Sequence, residues 1–172
     1  MQYCLIDTTL GIMGLGWTER GVNRFALPGR DRASTERVFL DMGAVAGSPA
    51  AALKQAIIAY GAGERVEFDE VALDLEGVSE FNRSVYEDIL KLRWGETTTY
   101  GEIARRLGDV SLSRAVGKAL GDNPIPLIVP CHRVLGANGR TVGFSAPGGV
   151  SSKMRMLALE KAAPGGQYAF GF

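Results

Sequence analysis

Prolines at positions 124, 126 and 130 punctuate the apolar run Ile125 to Val129. Proline lacks the amide that a central strand needs, so this run cannot become an interior strand despite its hydropathy. The sequence predicts an irregular but rigid segment there. Immediately after Pro130 it delivers Cys131-His132-Arg133-Val134. A cysteine beside a histidine in a fixed segment is a candidate nucleophile, because the thiolate is the reactive form and a neighbouring base raises its population. Adjacent side chains in extended chain point to opposite sides, so a bridging water is expected between Cys131 and His132. A histidine acting as a base also needs a group to orient it. Glu160 is one candidate, if the last helix packs beside this segment. On the residues alone, a packing cysteine and a structural histidine stay open as readings.

The rest of the chain sorts into two parts. Tyr3 to Ile6, Ile12 to Trp17 and Val22 to Leu27 read as short strands separated by turn residues. Ala33 to Met42 has helical spacing with Val38, Phe39 and Met42 on one side. Gly47-Ser48-Pro49 signals a helix start, and Ala50 to Tyr60 reads as helix. Val66 to Leu75 reads as one or two more strands. The pattern predicts a small α+β domain over 1–79 with a mostly antiparallel sheet, and a second domain over 80–172.

In that second part the periodicity turns helical. Asn82 to Leu92 places Val85, Ile89 and Leu92 on one stripe. Thr99 and Glu102 fit a capping box opening a helix from Tyr100 to Leu107. Ser111 is expected to cap a second helix from Leu112 to Leu120, stopped by Gly121 and Pro124. Two short helices around a tight turn make a helix-turn-helix candidate. In the second helix Leu112, Ala115, Val116, Ala119 and Leu120 form the predicted inner stripe. Ser113, Arg114, Gly117 and Lys118 form a small, basic outer face suited to approaching a phosphate backbone; an ordinary solvated face has the same composition. After a Gly-rich stretch, Ser151 or Ser152 is expected to cap a last helix reaching Lys161, with Met154, Leu157 and Ala158 inward. The tail from Ala162 to Phe172 is expected to be poorly ordered.

Length and composition narrow the function classes. A chain of 172 residues, 46% apolar, suits one compact core or two small ones. No apolar run approaches the roughly 20 residues of a membrane span, and the N-terminus shows no secretory pattern. Two cysteines, Cys4 and Cys131, make no disulfide scaffold, which points to a reducing compartment: the cytoplasm, or the nucleus in a eukaryotic source. With His132 the one histidine, a Cys/His zinc site cannot be assembled from this chain alone. Net charge is zero, yet residues 1–83 carry 8 basic and 12 acidic side chains and residues 84–172 carry 11 and 7. That asymmetry allows one face to meet phosphate.

The stretch Asn123-Pro124-Ile125-Pro126-Leu127-Ile128-Val129-Pro130-Cys131-His132-Arg133-Val134 resembles the signature of the O6-alkylguanine-DNA alkyltransferases. The resemblance extends through Gly95-Glu96-Thr97, Tyr100-Gly101-Glu102-Ile103-Ala104, Arg114-Ala115-Val116-Gly117, Gly143, Ser145, Gly148-Gly149, Lys153 and Leu159-Glu160. It covers residues 80–161 well and the first part only loosely. It implies an α+β fold: a ribonuclease-H-like N-terminal domain, then a mostly helical domain with a DNA-binding helix-turn-helix. The implied activity is direct, single-turnover transfer of an alkyl group from O6-alkylguanine, and by extension O4-alkylthymine, in duplex DNA to Cys131. The resemblance implies a monomer that needs no cofactor or metal and binds no membrane.

The same resemblance implies roles for individual residues. His132, oriented by Glu160, takes the Cys131 proton through water. Tyr100 assists base rotation and donates to guanine N3, and Asn123 braces the turn before the active-site segment. Ser113, Arg114, Ala115, Gly117 and Lys118, with Tyr100, contact DNA, and Arg114 fills the gap left by the rotated base. Val134, Phe144 and Ser145 line the base pocket with Cys131. Trp94, Phe144 and the two-residue insertion Ala146-Pro147 depart from the commonest pattern. A thiol hydrolase using Cys131 and His132, or a non-enzymatic lesion-binding protein, are the competing expectations.

Overall fold

The structure is a computed structural model that describes residues 1–141, 143 and 145–162. Phe144 and the expected tail beyond Ala162 lie outside the described residues. The chain divides into two compact units. The first comprises Met1–Gly77 with Pro124–Ile128 and Ala146–Gly148; the second comprises Val78–Asn123, Val129–Ser145 and the chain from Gly149. A strand-rich first unit and a helical second unit place the protein in the expected α+β class. Among the described residues no helix is long and apolar enough to cross a membrane.

The first unit is built on β1 (Gln2–Thr8), β2 (Gly11–Thr18), β3 (Gly21–Ala26) and β4 (Val45–Ala46), ordered β3-β2-β1-β4. β1–β2 and β2–β3 pair antiparallel, and β4 runs parallel to β1. Both hairpins turn tightly, with Thr8 opposite Gly11 and Thr18 opposite Gly21. Glycine closes each at a φ that side chains resist, +123 at Gly11 and +144 at Gly21.

Two helices, α1 (Arg32–Leu40) and α2 (Ala51–Gly61), accompany this sheet. α1 starts at a capping box in which Asp31 accepts from the Ser34 amide at 2.7 Å and Ser34 Oγ accepts from the Asp31 amide at 3.0 Å. Phe39 stacks on Tyr3, with ring centroids 5.1 Å apart and planes 5° apart, and covers Gly14 and Gly16 of β2. Met42, expected beside Phe39, is 49% exposed, because α1 ends at Leu40 and the chain beyond leaves the helical stripe.

The strands expected over Val66 to Leu75 are not formed. That segment meets β3 at a single parallel bridge, Val22 to Leu73. Val22 donates to Ala72 O and Asp74 donates to Val22 O, each at 2.8 Å. Side chains hold it in place of a ladder. Asp74 accepts from Thr18 Oγ1 at 2.6 Å, Arg20 Nη2 at 3.1 Å and the Glu76 amide at 3.2 Å. These donors, led by Thr18 and Arg20, hold its pKa at about 2. The proline-punctuated segment is irregular, as its sequence requires. Pro124 O accepts from the Phe25 amide at 2.9 Å, and Ile125, Leu127 and Ile128 are buried. Leu127 sits at φ +78, a conformation that a leucine holds only where its surroundings over-determine it.

The second unit contains α3 (Glu80–Ile89), β5 (Thr98–Thr99), α4 (Tyr100–Arg106), α5 (Ser113–Gly121), β6 (Val134–Leu135) and α6 (Gly149–Leu159). α4 opens on the predicted capping box: Thr99 Oγ1 accepts from the Glu102 amide at 3.2 Å and Glu102 accepts from the Thr99 amide at 2.8 Å. Arg106 clasps the buried carboxylate of Asp88 on α3 through Nε at 3.0 Å and Nη2 at 2.7 Å. Tyr86 on α3 donates to Ala119 O on α5 at 2.8 Å.

α5 begins one residue later than expected. Ser111 does not cap it, and no side chain does: the 3-10 turn Val110–Leu112 precedes the helix, and Asp109 caps that turn by accepting from the Ser111 amide at 2.8 Å. Val116, Ala119 and Leu120 are buried, whereas Ala115 is exposed and leaves the predicted inner stripe. α6 starts at Gly149 rather than after Ser151 or Ser152. Its inner face is Lys153, Met156 and Leu157, with Ala158 exposed. Hydropathy misplaced that face because a lysine occupies it.

Gly14→Ala should lower stability by about 1–3 kcal/mol, the usual cost of overpacking a filled core. Its Cβ would collide with the Phe39 ring. Urea unfolding should show a lower midpoint at unchanged slope, and Phe39→Leu in the same chain should recover part of the loss.

Candidate active site

Cys131 opens a 3-10 turn, Cys131–Arg133, directly after Pro130. The turn is closed by the Cys131 amide on Val129 O at 2.8 Å and the Arg133 amide on Pro130 O at 3.0 Å. Asn123 Nδ2 also donates to Val129 O, at 2.9 Å, bracing the approach. β5 and β6 then form a short parallel ladder, Thr98 opposite Val134 and Thr99 opposite Leu135. It fixes the residue after the ladder's first strand, Tyr100, beside the turn that carries Cys131.

The thiol is 6% exposed. Burial pushes its pKa up, while the Asn123 side chain, Lys153 and the amides of Cys131 and His132 work to lower it. His132 makes no ring hydrogen bond to the thiol. Its Nε2 lies 2.7 Å from Glu160 Oε1. Glu160, 1% exposed, also accepts from Arg133 Nε at 2.8 Å and Nη2 at 3.1 Å. Arg133 Nη1 is spent on Leu92 O at 2.7 Å, and the Gly95 amide reaches Glu160 Oε2 at 3.4 Å.

This arrangement assigns the protons. Burial alone would raise the Glu160 pKa, but hydrogen bonds and charge from His132 and Arg133 outweigh it and hold the carboxyl at about 2. An ionised Glu160 is an acceptor only, so Nε2 of His132 carries a proton and Nδ1 presents its lone pair. Burial pushes the His132 pKa down, partly offset by Glu160, so the ring is neutral at pH 7. Nδ1 is buried and has no protein partner among the described residues. His132 is thus a neutral base with one free lone pair and a fixed tautomer.

Lys153 is a second buried charge. Its Nζ donates to Val134 O and sits 5.9 Å from the centre of the Tyr100 ring. Burial brings its pKa down to about 8, against the pull of Cys131. Burial also raises the Tyr100 phenol, with Cys131 adding to it. Sequence reasoning assigned roles to neither Lys153 nor Arg133. The signal available was spacing, since Lys153, Met156 and Glu160 recur at helical intervals.

A cavity of about 500 Å³ opens beside Cys131, lined by Tyr100, Gly117, Leu120, Gly121 and Ser145, with Gly143 contributing. Ser145 Oγ donates to Gly121 O at 2.9 Å. Of the residues expected in the base pocket, Cys131 and Ser145 line this cavity. Val134 does not: it is fully buried, and Lys153 holds its carbonyl. Of the residues expected to contact DNA, Arg114, Ala115 and Lys118 are exposed on α5, and Ser113 and Gly117 are half-buried. Lys118 pairs with Asp122 at 2.6 Å, and Ser113 Oγ donates to Val110 O at 2.8 Å.

Comparisons with known proteins bear on the whole of this site. Residues 80–162 match the model of the 6-O-methylguanine DNA methyltransferase DNA-binding domain. A methylated-DNA–protein-cysteine methyltransferase of Mycolicibacterium paratuberculosis is 50% identical over 103 residues, 60% of each chain. The match with that of Methanosarcina acetivorans is 50% over 102 residues, 59% of this chain and 63% of the relative. The crystal structure of Mycobacterium tuberculosis OGT in complex with DNA superposes with a TM-score of 0.77 at 35% identity, covering 94% of this chain and 93% of that one. The chain belongs to the O6-methylguanine-DNA methyltransferase family. The sequence match spans 60% of the length of the first curated relatives, whereas the structural match to the M. tuberculosis member of the family runs over nearly all of both chains.

Glu160→Gln should cost about 3–5 kcal/mol at pH 7, because it leaves buried Arg133 without its counter-charge. Folding lowers the Glu160 pKa from 4.5 to about 2. Its contribution is therefore complete above pH 4.5 and drains away as pH falls towards 2. Urea midpoints measured across that range should decline more steeply for wild type than for Glu160→Gln; parallel curves would refute the assignment.

Proposed function

We propose that the protein repairs alkylated DNA by transferring the alkyl group of O6-alkylguanine, and by extension O4-alkylthymine, to Cys131, once per molecule. The observation that carries this reading is the cavity in which Cys131 meets Tyr100 and the small residues of α5, backed by a buried His132–Glu160 pair. The genome's compartment follows as its place of work: the cytoplasm, or the nucleus in a eukaryotic source.

In this reading the outer face of α5 holds duplex DNA, with Arg114 and Lys118 supplying charge and Gly117 permitting close approach. The lesion cannot be attacked in line inside the stack, so the nucleotide is rotated out and Arg114 takes its place in the duplex. The thiol proton passes through one water to His132 Nδ1, which Glu160 stabilises as imidazolium. Cys131 Sγ then forms a bond to the alkyl carbon as the carbon–O6 bond breaks. The departing guanine keeps that electron pair and takes up one proton. Tyr100 donates to the base at N3, offsetting its developing charge. The thioether product has no hydrolysable bond, so the site is consumed.

Incubation with duplex DNA carrying O6-methylguanine should add one methyl group to the peptide containing Cys131, read by mass spectrometry. Restored guanine beside unmodified Cys131 would overturn the mechanism. Sustained ester or amide cleavage with Cys131 intact would favour the hydrolase.

Arg114→Ala should slow repair of a duplex by at least about tenfold, the equivalent of 1.4 kcal/mol of transition-state stabilisation. Reaction with free O6-benzylguanine should change far less, since no duplex has to be held open. Equal losses on both substrates would make Arg114 structural.

A further inference from the structure

We infer that Gly121, at the end of α5, sets the upper size of the O6-substituent this protein accepts. The inference rests on the alkyl-transfer reading above. The cavity of about 500 Å³ lies within the range of sites that enclose whole drug-sized ligands. A methylated base leaves much of it unfilled.

The α5 side of this cavity is walled by Gly117, Leu120 and Gly121. The two glycines are not equivalent. A Cβ on Gly117 would lie 3.8 Å from two Tyr100 ring atoms, so a larger side chain there would press on a residue placed in the chemistry. Among the described residues, a Cβ on Gly121 meets only Ser145 Oγ, at 3.9 Å. Position 121 therefore has room for a side chain, and that side chain would subtract from the cavity.

The backbone gives no reason for glycine at this position. Gly121 is the last residue of α5, and its φ is not in the left-handed region. Alanine is the better helix former at ordinary helical angles. What glycine supplies is space at the rim, where its own carbonyl already anchors Ser145 at 2.9 Å. Any side chain added there grows between α5 and Ser145 and narrows the part of the cavity that a long or aromatic substituent needs.

The test is single-turnover transfer to Cys131 from two duplexes, one with O6-methylguanine and one with O6-benzylguanine. It is run on wild type, Gly121→Ala and Gly121→Leu. Wild type should transfer both groups. The benzyl-to-methyl rate ratio should fall by at least about tenfold in Gly121→Leu, since hydrophobic pockets discriminate about 10- to 200-fold per methylene. Gly121→Ala, which adds one methyl group and favours the helix, should lower the ratio by less and serves if the leucine variant does not fold. An unchanged ratio in both variants would overturn the inference, as would a wild type that transfers methyl but not benzyl. A wild type that transfers neither group would instead refute the alkyl-transfer reading itself.

Discussion

A carboxylate with 1% exposure cannot stand alone; stripped of partners it would take up a proton or unfold its surroundings. Glu160 escapes both outcomes because three segments converge on it. The turn after Pro130 sends His132 and Arg133, the chain before β5 sends the Gly95 amide, and the residue just past the end of α6 carries the carboxylate itself. Each partner is placed by the others. Arg133 neutralises Glu160 and ties Leu92 O into the same cluster. The residual polarity of the carboxylate then falls on His132, whose tautomer it dictates. One ion cluster thus fixes local structure and selects the nitrogen that can accept a proton.

In the proposed reaction, that arrangement lets a thiol with a raised pKa still act as a nucleophile. The site does not hold Cys131 permanently ionised, since burial works against the thiolate. It keeps a neutral base available and surrounds the sulfur with donors that strengthen as charge develops. Asn123 and the amides of the 3-10 turn need no reorganisation to do this, which is the economy of a preorganised site. Lys153 contributes positive charge that favours the thiolate and, by gripping Val134 O, also steadies the strand that follows the turn.

How far all this was legible depended on how local the cause was. The Thr99–Glu102 capping box is a contact between near neighbours, so its residues could be read directly and the helix starts where they say. The proline-punctuated segment was legible for the same reason: missing amides do not depend on tertiary partners. Long-range compensation was illegible. Val66 to Leu75 has strand hydropathy, but Asp74 is held by Thr18 and Arg20, which no local pattern announces. Lys153 on the inner face of α6 contradicts amphipathic reading, because its burial is compensated by partners distant in sequence, Val134 O and the Tyr100 ring among them. Cys131, His132 and Glu160 were candidates from the residues themselves, and the motif resemblance gave them their roles. Arg133, the residue that keeps Glu160 charged, carried no role until its neighbours were visible.

The parallel ladder of β5 and β6 is only two residues long on each side, yet it ties together both ends of a long stretch of the second unit. Parallel strands cannot be joined by a tight turn and need a long crossover. Here the crossover is α4, the 3-10 turn, α5 and the proline segment, so the helix-turn-helix is a loop pinned at both ends to the reactive centre. One end emerges as Tyr100 and the other returns as Cys131. Strain applied to the outer face of α5 therefore reaches both walls of the cavity at once, through covalent chain rather than through packing alone.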